Sequence, residues 1–283
     1  GRLSANLGAE PLDIDLNLRV ARVDLDGLLA LSETATTDPG DSLDPGEGGF
    51  SLPSEMNFSF DLSSEVLIYR GQIVRQLRLG GALADSLVTL AQFQAQVPGG
   101  SDFSANGTLQ AVEGKPQFSV NLEFASDNLR SVLSWMGVST GEVPADRLRR
   151  SLLTLHLEGV PDSFSATDID MQVDVSRVTG GIAVVTGPRL GLGAGLTLDK
   201  LDLDAYLPAD GSAHDSAGSS SSEERPSPLA LLEAVDANFD LRAQQITYRG
   251  KTAEQLHLDG TLAAGEVTLR RAFVGKVANA RLE

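Results

Sequence analysis

The chain has 283 residues, enough for one large or two ordinary domains, and a net charge of −17 from 39 acidic and 22 basic side chains. Such a charge repels phosphate backbones and anionic headgroups, which weighs against nucleic acid as a partner and against attachment to a membrane surface through basic patches. The absence of Cys excludes disulfides, thiolate catalysis and Cys-ligated metals, and no apolar run approaches the ~18 residues of a membrane-spanning helix.

Hydrophobic residues make up 41 % of the chain and aromatic residues 5 %, with 29 Gly. That balance suits a turn-rich sheet protein without a thick core. In chain order, Ile14, Leu16, Leu18 and Val20 alternate with polar residues, as do Val23 and Leu25, so 14–26 reads as strand with one apolar face. Residues 32–55, with Asp-Pro-Gly twice, read as a loop. Phe58, Phe60 and Leu62 begin a strand, Arg70-Gly71 is a tight turn, and Leu77 and Leu79 return along the next strand. Alternating runs continue over 88–97, 103–111 and 118–124.

The period then changes. Leu129, Val132, Leu133 and Met136 follow the spacing of an amphipathic helix, with Ser126 or Asp127 as the cap and Gly137 at its end. Pro144 to Arg150 reads as a second short helix. Strand patterns resume at 153–157, 169–175, 182–184, 190–198 and 201–207. Residues 208–227 form an acidic, Ser-rich linker, and a short helix carrying Leu231, Leu232 and Val235 follows.

One stretch occurs twice. Residues 60–90 and 239–269 align without a gap at an offset of 239 − 60 = 179, and 15 of the 31 positions are identical. Shared elements include Phe-Asp-Leu, Tyr-Arg-Gly (69–71 and 248–250) and Val-Thr-Leu. Upstream, Val23-Asp24-Leu25-Asp26 echoes Leu201-Asp202-Leu203-Asp204 at an offset of 178. A fixed-offset echo marks a repeat architecture. The expected domains are a first repeat over 1–207, a linker over 208–227 and a truncated second repeat over 228–283. The chain opens at Gly1 rather than Met, and Glu283 corresponds to position 104 of the first copy, so it reads as a fragment of a longer protein. The expected fold is mainly β: an elongated, curved antiparallel sheet forming a groove, with short rim helices.

Asp-x-Asp recurs at Asp13/Asp15, Asp24/Asp26, Asp168/Asp170 and Asp202/Asp204. Two carboxylates on one strand face can offer oxygens to Ca²⁺, but no Gly-containing calcium loop accompanies them, and solvation of the outer face is the favoured reading. Gly191 to Gly195 lies within an alternating strand and lacks the helix and Lys-Ser/Thr of a phosphate loop. His156, His214 and His257 have no convergent metal spacing. No catalytic constellation, metal or cofactor is expected.

Leu198 to Pro208 followed by a low-complexity linker, a Tyr-Arg-Gly strand and Leu-x-Leu-x-Gly-x-Leu resembles the bacterial AsmA family. So does Ser126-Asp127-Asn128-Leu129 leading into Trp135-Met136-Gly137, with Pro144-Ala145-Asp146-Arg147-Leu148 after it, and Val178-Thr179-Gly180 ahead of Gly187-Pro188-Arg189. The resemblance implies a periplasmic protein tethered to the inner membrane by a helix that this sequence lacks. It also implies a β-groove, related to bridge-like lipid-transfer proteins, that carries phospholipids toward the outer membrane. From the alternation, the groove lining is expected at Phe60, Leu62, Leu77, Leu79 and Leu83, and at Phe239, Leu241, Leu256, Leu258 and Leu262 in the second copy. The expected partners are acyl chains. The rival expectation is a structural or adhesive β-scaffold with a filled core.

Overall fold

The computed structural model describes residues 1–6, 8, 10–35, 49–207 and 235–279. The fold is mainly β, an open sheet whose strands follow chain order, with two short helices. By contacts the chain divides into two compact units: residues 1–137 with 156–161, and residues 138–155 with 162–283.

The first unit holds β1 (Arg2–Asn6), β2 (Leu12–Asp24), α1 (Leu25–Ala35), β3 (Met56–Tyr69), β4 (Gln72–Ala84), β5 (Leu87–Val97), β6 (Ser101–Val112), β7 (Lys115–Ser126) and α2 (Leu129–Trp135). β8 (Ser151–Val160) is divided between the units, and the second unit continues with β9 (Ser163–Val173), β10 (Ser176–Val185), β11 (Leu190–Asp202), β12 (Val235–Tyr248), β13 (Lys251–Ala263) and β14 (Glu266–Asn279).

The turns explain the hairpins. Arg70-Gly71, Asp85-Ser86, Glu113-Gly114, Arg249-Gly250 and Ala264-Gly265 each have positive φ at both central residues. That is the type I′ geometry whose twist matches antiparallel strands. Two pairings depart from the antiparallel pattern. β2 runs parallel to β3, with Leu16 opposite Phe60, and β11 runs parallel to β12, with Ala194 opposite Phe239. A parallel pair needs a crossover of a dozen or more residues, and residues 25–55 and 203–234 supply it. The long polar stretches of the sequence are therefore the crossovers of each repeat.

The repeat holds at the level of register. Phe60 faces Gly81 and Leu62 faces Leu79, as Phe239 faces Gly260 and Leu241 faces Leu258. β4 and β13 also shift register against their next neighbour at the same place, Gly80/Gly81 and Asp259/Gly260. Glycine is required there by close approach. A Cβ on Gly81 would stand 2.4 Å from the Thr89 carbonyl and 2.8 Å from the Phe60 ring, and one on Gly260 would stand 2.7 Å from the Thr268 carbonyl and 2.9 Å from the Phe239 ring.

Several local expectations are corrected. The strand expected to run through Leu25 and Asp26 ends at Asp24, and α1 takes over from Leu25 into residues expected as loop at 32–35. The Asp24 carboxylate accepts from the Gly27 N–H at 3.0 Å, which caps the first turn, and Leu25, Leu28 and Leu29 supply helical spacing. The rest of the 32–55 loop is described only over 49–55. α2 is capped by Asn128, whose side chain accepts from Ser131 N–H, rather than by Ser126 or Asp127; Gly137 ends it at φ +88° as expected. Residues 144–150 form turns, not a helix, with Leu148 at positive φ. β11 stops at Asp202, and 203–207 is a turn in which Leu207 N–H bonds the Leu203 carbonyl. Val235, expected in a helix, starts β12; the linker 208–227 and the rest of that helix lie outside the described residues.

Candidate functional site: an apolar sheet face

Residues directly opposed across a ladder share a face, so the registers trace which side chains form one surface. In the first unit one row runs Leu18, Leu62, Leu79, Phe93, Ala105, Leu122, and the next runs Leu16, Phe60, Gly81, Leu90, Gly107, Val120. A third carries Ile14, Phe58, Leu83, Val88, Leu109 and Phe118. In the second unit the corresponding rows are Ile169, Gly180, Leu196, Leu241, Leu258, Ala272 and Met171, Val178, Leu198, Ala243, Leu256, Val274. Every row crosses six strands and is apolar throughout.

All ten side chains expected to line a groove lie on these faces, five in each unit. Leu77 stands opposite Ser64, and Leu256 opposite Ala243 at the equivalent place. Leu83 and Leu262 are buried, Leu241 and Leu258 are 37 % and 40 % exposed, and the other six are half-buried. Ser101 is the largest side chain buried essentially completely among the described residues, and the buried hydrophobics there are few and scattered. The faces are thus apolar without being the inside of a packed core.

A break in the alternation turns both faces at one place. The pairings skip Ala21, Glu65 and Gln76 in β2, β3 and β4, and skip Asp199, Gln244 and Gln255 in β11, β12 and β13. Gln76 and Gln255 have φ of +52° and +55°. Unpaired residues of this kind bend a strand and re-aim its side chains. In the second unit, beyond the break, Leu201 and Ile246 rejoin Leu198 and Ala243 in the wall of an apolar hollow of about 490 Å³. Met171, Val178, Leu196, Leu241, Leu256 and Leu258 line it too, as do Leu203 and Tyr206 from the turn after β11. Reading by strand named Leu241, Leu256 and Leu258 here. It missed the β9 to β11 contributors, whose alternation was visible but whose neighbours were not.

Carboxylates hold the corners of the sheet. Asp26 accepts from Arg70 N–H at 2.7 Å and Gly71 N–H at 2.8 Å; Asp204 accepts from Arg249 N–H at 2.6 Å and Gly250 N–H at 2.8 Å. The last Asp of each repeated Asp-x-Asp thus clamps the Tyr-Arg-Gly corner of its own repeat. Each corner Arg also lies over the preceding Tyr ring, 5.6 Å and 5.3 Å from the centroid. Asp174, at the β9–β10 corner, accepts from Leu148 N–H, Arg149 N–H and Tyr206 O–H, each at 2.9 Å. Burial pushes Asp174 up, but these hydrogen bonds outweigh it and hold the carboxyl below its usual range. Burial, and then the bond to Asp174, push Tyr206 up to about 12. Nothing short in the sequence linked Asp174 to Tyr206, which are 32 positions apart.

The remaining motifs have structural partners. Asp13 accepts from Asn57 Nδ2 at 3.0 Å, Asp15 from Ser59 Oγ, and Asp202 from Asp204 N–H at 3.1 Å. Asp170 pairs with Arg177. Gly191 to Gly195 lies within β11. His156 meets Asn121 at 2.9 Å and His257 meets Asp240 at 3.0 Å, while His214 lies outside the described residues. Among the described residues no three His, Asp or Glu side chains come together as a metal site, and no helix is long and apolar enough to cross a membrane. Comparison with protein-family models, curated proteins and solved structures gave no match.

Proposed function

We propose that this chain is a non-enzymatic conduit for acyl chains, part of an AsmA-like periplasmic protein that supports phospholipid movement between the inner and outer membranes. The observation that carries the reading is the pair of six-strand apolar faces whose side chains stay half-exposed. Water contact with such a face is unfavourable by about 25 cal/mol per Å², so something apolar is favoured there. An acyl chain gains about 0.8 kcal/mol per CH₂ transferred from water, with no specific polar partner required. Its headgroup remains in water, where the chain's negative charge disfavours retention of anionic groups. The task needs no catalytic residue. The AsmA affiliation and the periplasmic setting rest on the sequence resemblance.

Purification followed by lipid extraction and mass spectrometry is the direct test, with phospholipid recovered as the expected outcome. Leu79→Arg sharpens it. Leu79 is half-buried on the open face, so the guanidinium can snorkel to water and the variant is expected to fold. Its melting temperature should change little while bound lipid falls. In a filled scaffold the same change would bury an unpaired charge at a cost of several kcal/mol. Unfolding of the variant, together with no lipid on the parent, would overturn the conduit.

A further inference from the structure

We propose that Tyr206 is a specificity-determining wall of the second unit's hollow, favouring unbranched over methyl-branched acyl chains there. The inference rests on the conduit reading and adds which lipid tail the site accepts.

Three observations meet at this residue. The hollow is apolar and its lining comes chiefly from β9 to β13. Tyr206 and Leu203 come from outside the strands: the 203–207 turn folds the aromatic ring into that lining. The ring is also fixed from its polar end. Its hydroxyl donates to Asp174, which is itself held by two backbone N–H groups, and Arg147 Nε bonds the neighbouring Ala205 carbonyl at 3.3 Å. A ring pinned at its hydroxyl and anchored through its backbone cannot swing aside as a free side chain would. The wall it makes is therefore fixed, and a fixed apolar wall discriminates by shape on the side it bounds: a methyl forced against it costs about tenfold in affinity.

The experiment uses the whole purified chain and a palmitate carrying a photoreactive group in its tail. After illumination, labelled residues are located by mass spectrometry, and unlabelled palmitate and a methyl-branched fatty acid of equal chain length compete for the site. Labelling is expected on the 196–206 and 241–258 segments of the parent, with the branched competitor weaker by about tenfold. Tyr206→Ala should bring the two competitors within about threefold while palmitate still labels. Tyr206→Phe keeps the ring but releases it from Asp174, and should fall between the two. Circular dichroism of each variant confirms that the sheet is intact. Labelling in the parent with the same competitor ratio in Tyr206→Ala overturns the wall alone. Absence of labelling in the parent overturns the conduit reading at this hollow and the wall with it.

Discussion

Asp26 and Asp204 do the same work 178 residues apart, each closing a Tyr-Arg-Gly corner with two backbone hydrogen bonds. The contact uses the main chain of Arg and Gly, so the aspartate is the residue that matters. Hydrogen bonds to a charged acceptor contribute about 1.5–3 kcal/mol, less where water competes, and Asp204 is exposed. Asp204→Ala is expected to destabilise by about 1 kcal/mol, read by urea unfolding. Asp202→Ala is the comparison: it removes only a local bond to Asp204 N–H, and its effect should be smaller. Both carboxylates were visible as a recurring motif. Their function was not, because a clamp is defined by its partner, and the partner lies 44 to 46 positions downstream.

At the level of elements the sequence was most legible where hairpins follow one another. Alternation, with Gly at every turn but Asp85-Ser86, located β3 to β7 and β12 to β14, and the 179-residue echo located the matching register. It was least legible where the backbone changes state without a change in composition. Asp24 serves equally as a strand residue and as a helix cap, so the β2-to-α1 switch was hidden in Val-Asp-Leu-Asp. Pro144 to Arg150 has helix-compatible residues, yet Leu148 adopts positive φ and the N–H groups of Leu148 and Arg149 are taken by Asp174. Tertiary capture of those donors replaces the helix. The apolar faces were half legible. Every strand announced which of its sides is apolar, but the joining of β9, β10 and β11 to the second copy's β12 and β13 depends on a parallel pairing that no local pattern encodes.

For the molecule as a whole, the acidic charge is not spread evenly in its effects. Asp170, Asp236, Asp240 and Asp259 are each lowered, first by the hydrogen bond from Arg177, Arg189, Arg242 and Arg270 respectively, and Asp174 is lowered as described. All five belong to the second unit. A carboxyl whose folded pKa is depressed adds stability that is fully present above its unfolded value and is lost as pH falls through the folded one. Acid should therefore weaken the second unit below the ordinary carboxylate range. The four Arg partners are solvent-exposed while their carboxylates are half-buried, so the effect of these pairs should shrink in high salt, leaving Asp174 as the salt-resistant part. Amide exchange measured on descending pH, at low and high salt, checks this. Undiminished protection of the second unit at acid pH would contradict it. Tyr206 acts at the opposite end: its raised pKa gives stability that is complete below the ordinary phenol value and lost toward pH 12.

The two parallel pairings also set a schedule. A two-residue turn brings β3 to β4, or β12 to β13, together at almost no cost in chain entropy, whereas β2 finds β3 only after the 25–55 crossover is drawn shut, and β11 finds β12 only after 203–234. Non-local pairing is the slow part of folding. The hairpin blocks should consequently acquire protection before the β2–β3 and β11–β12 seams do. In pulse-labelled refolding, amides of Leu62 and Leu241 that face the hairpin partner should be protected early, and those of β2 and β11 late. A newly made chain would then spend its first moments as separate hairpin ribbons with unsealed edges, the form in which it is most exposed to mispairing with its neighbours.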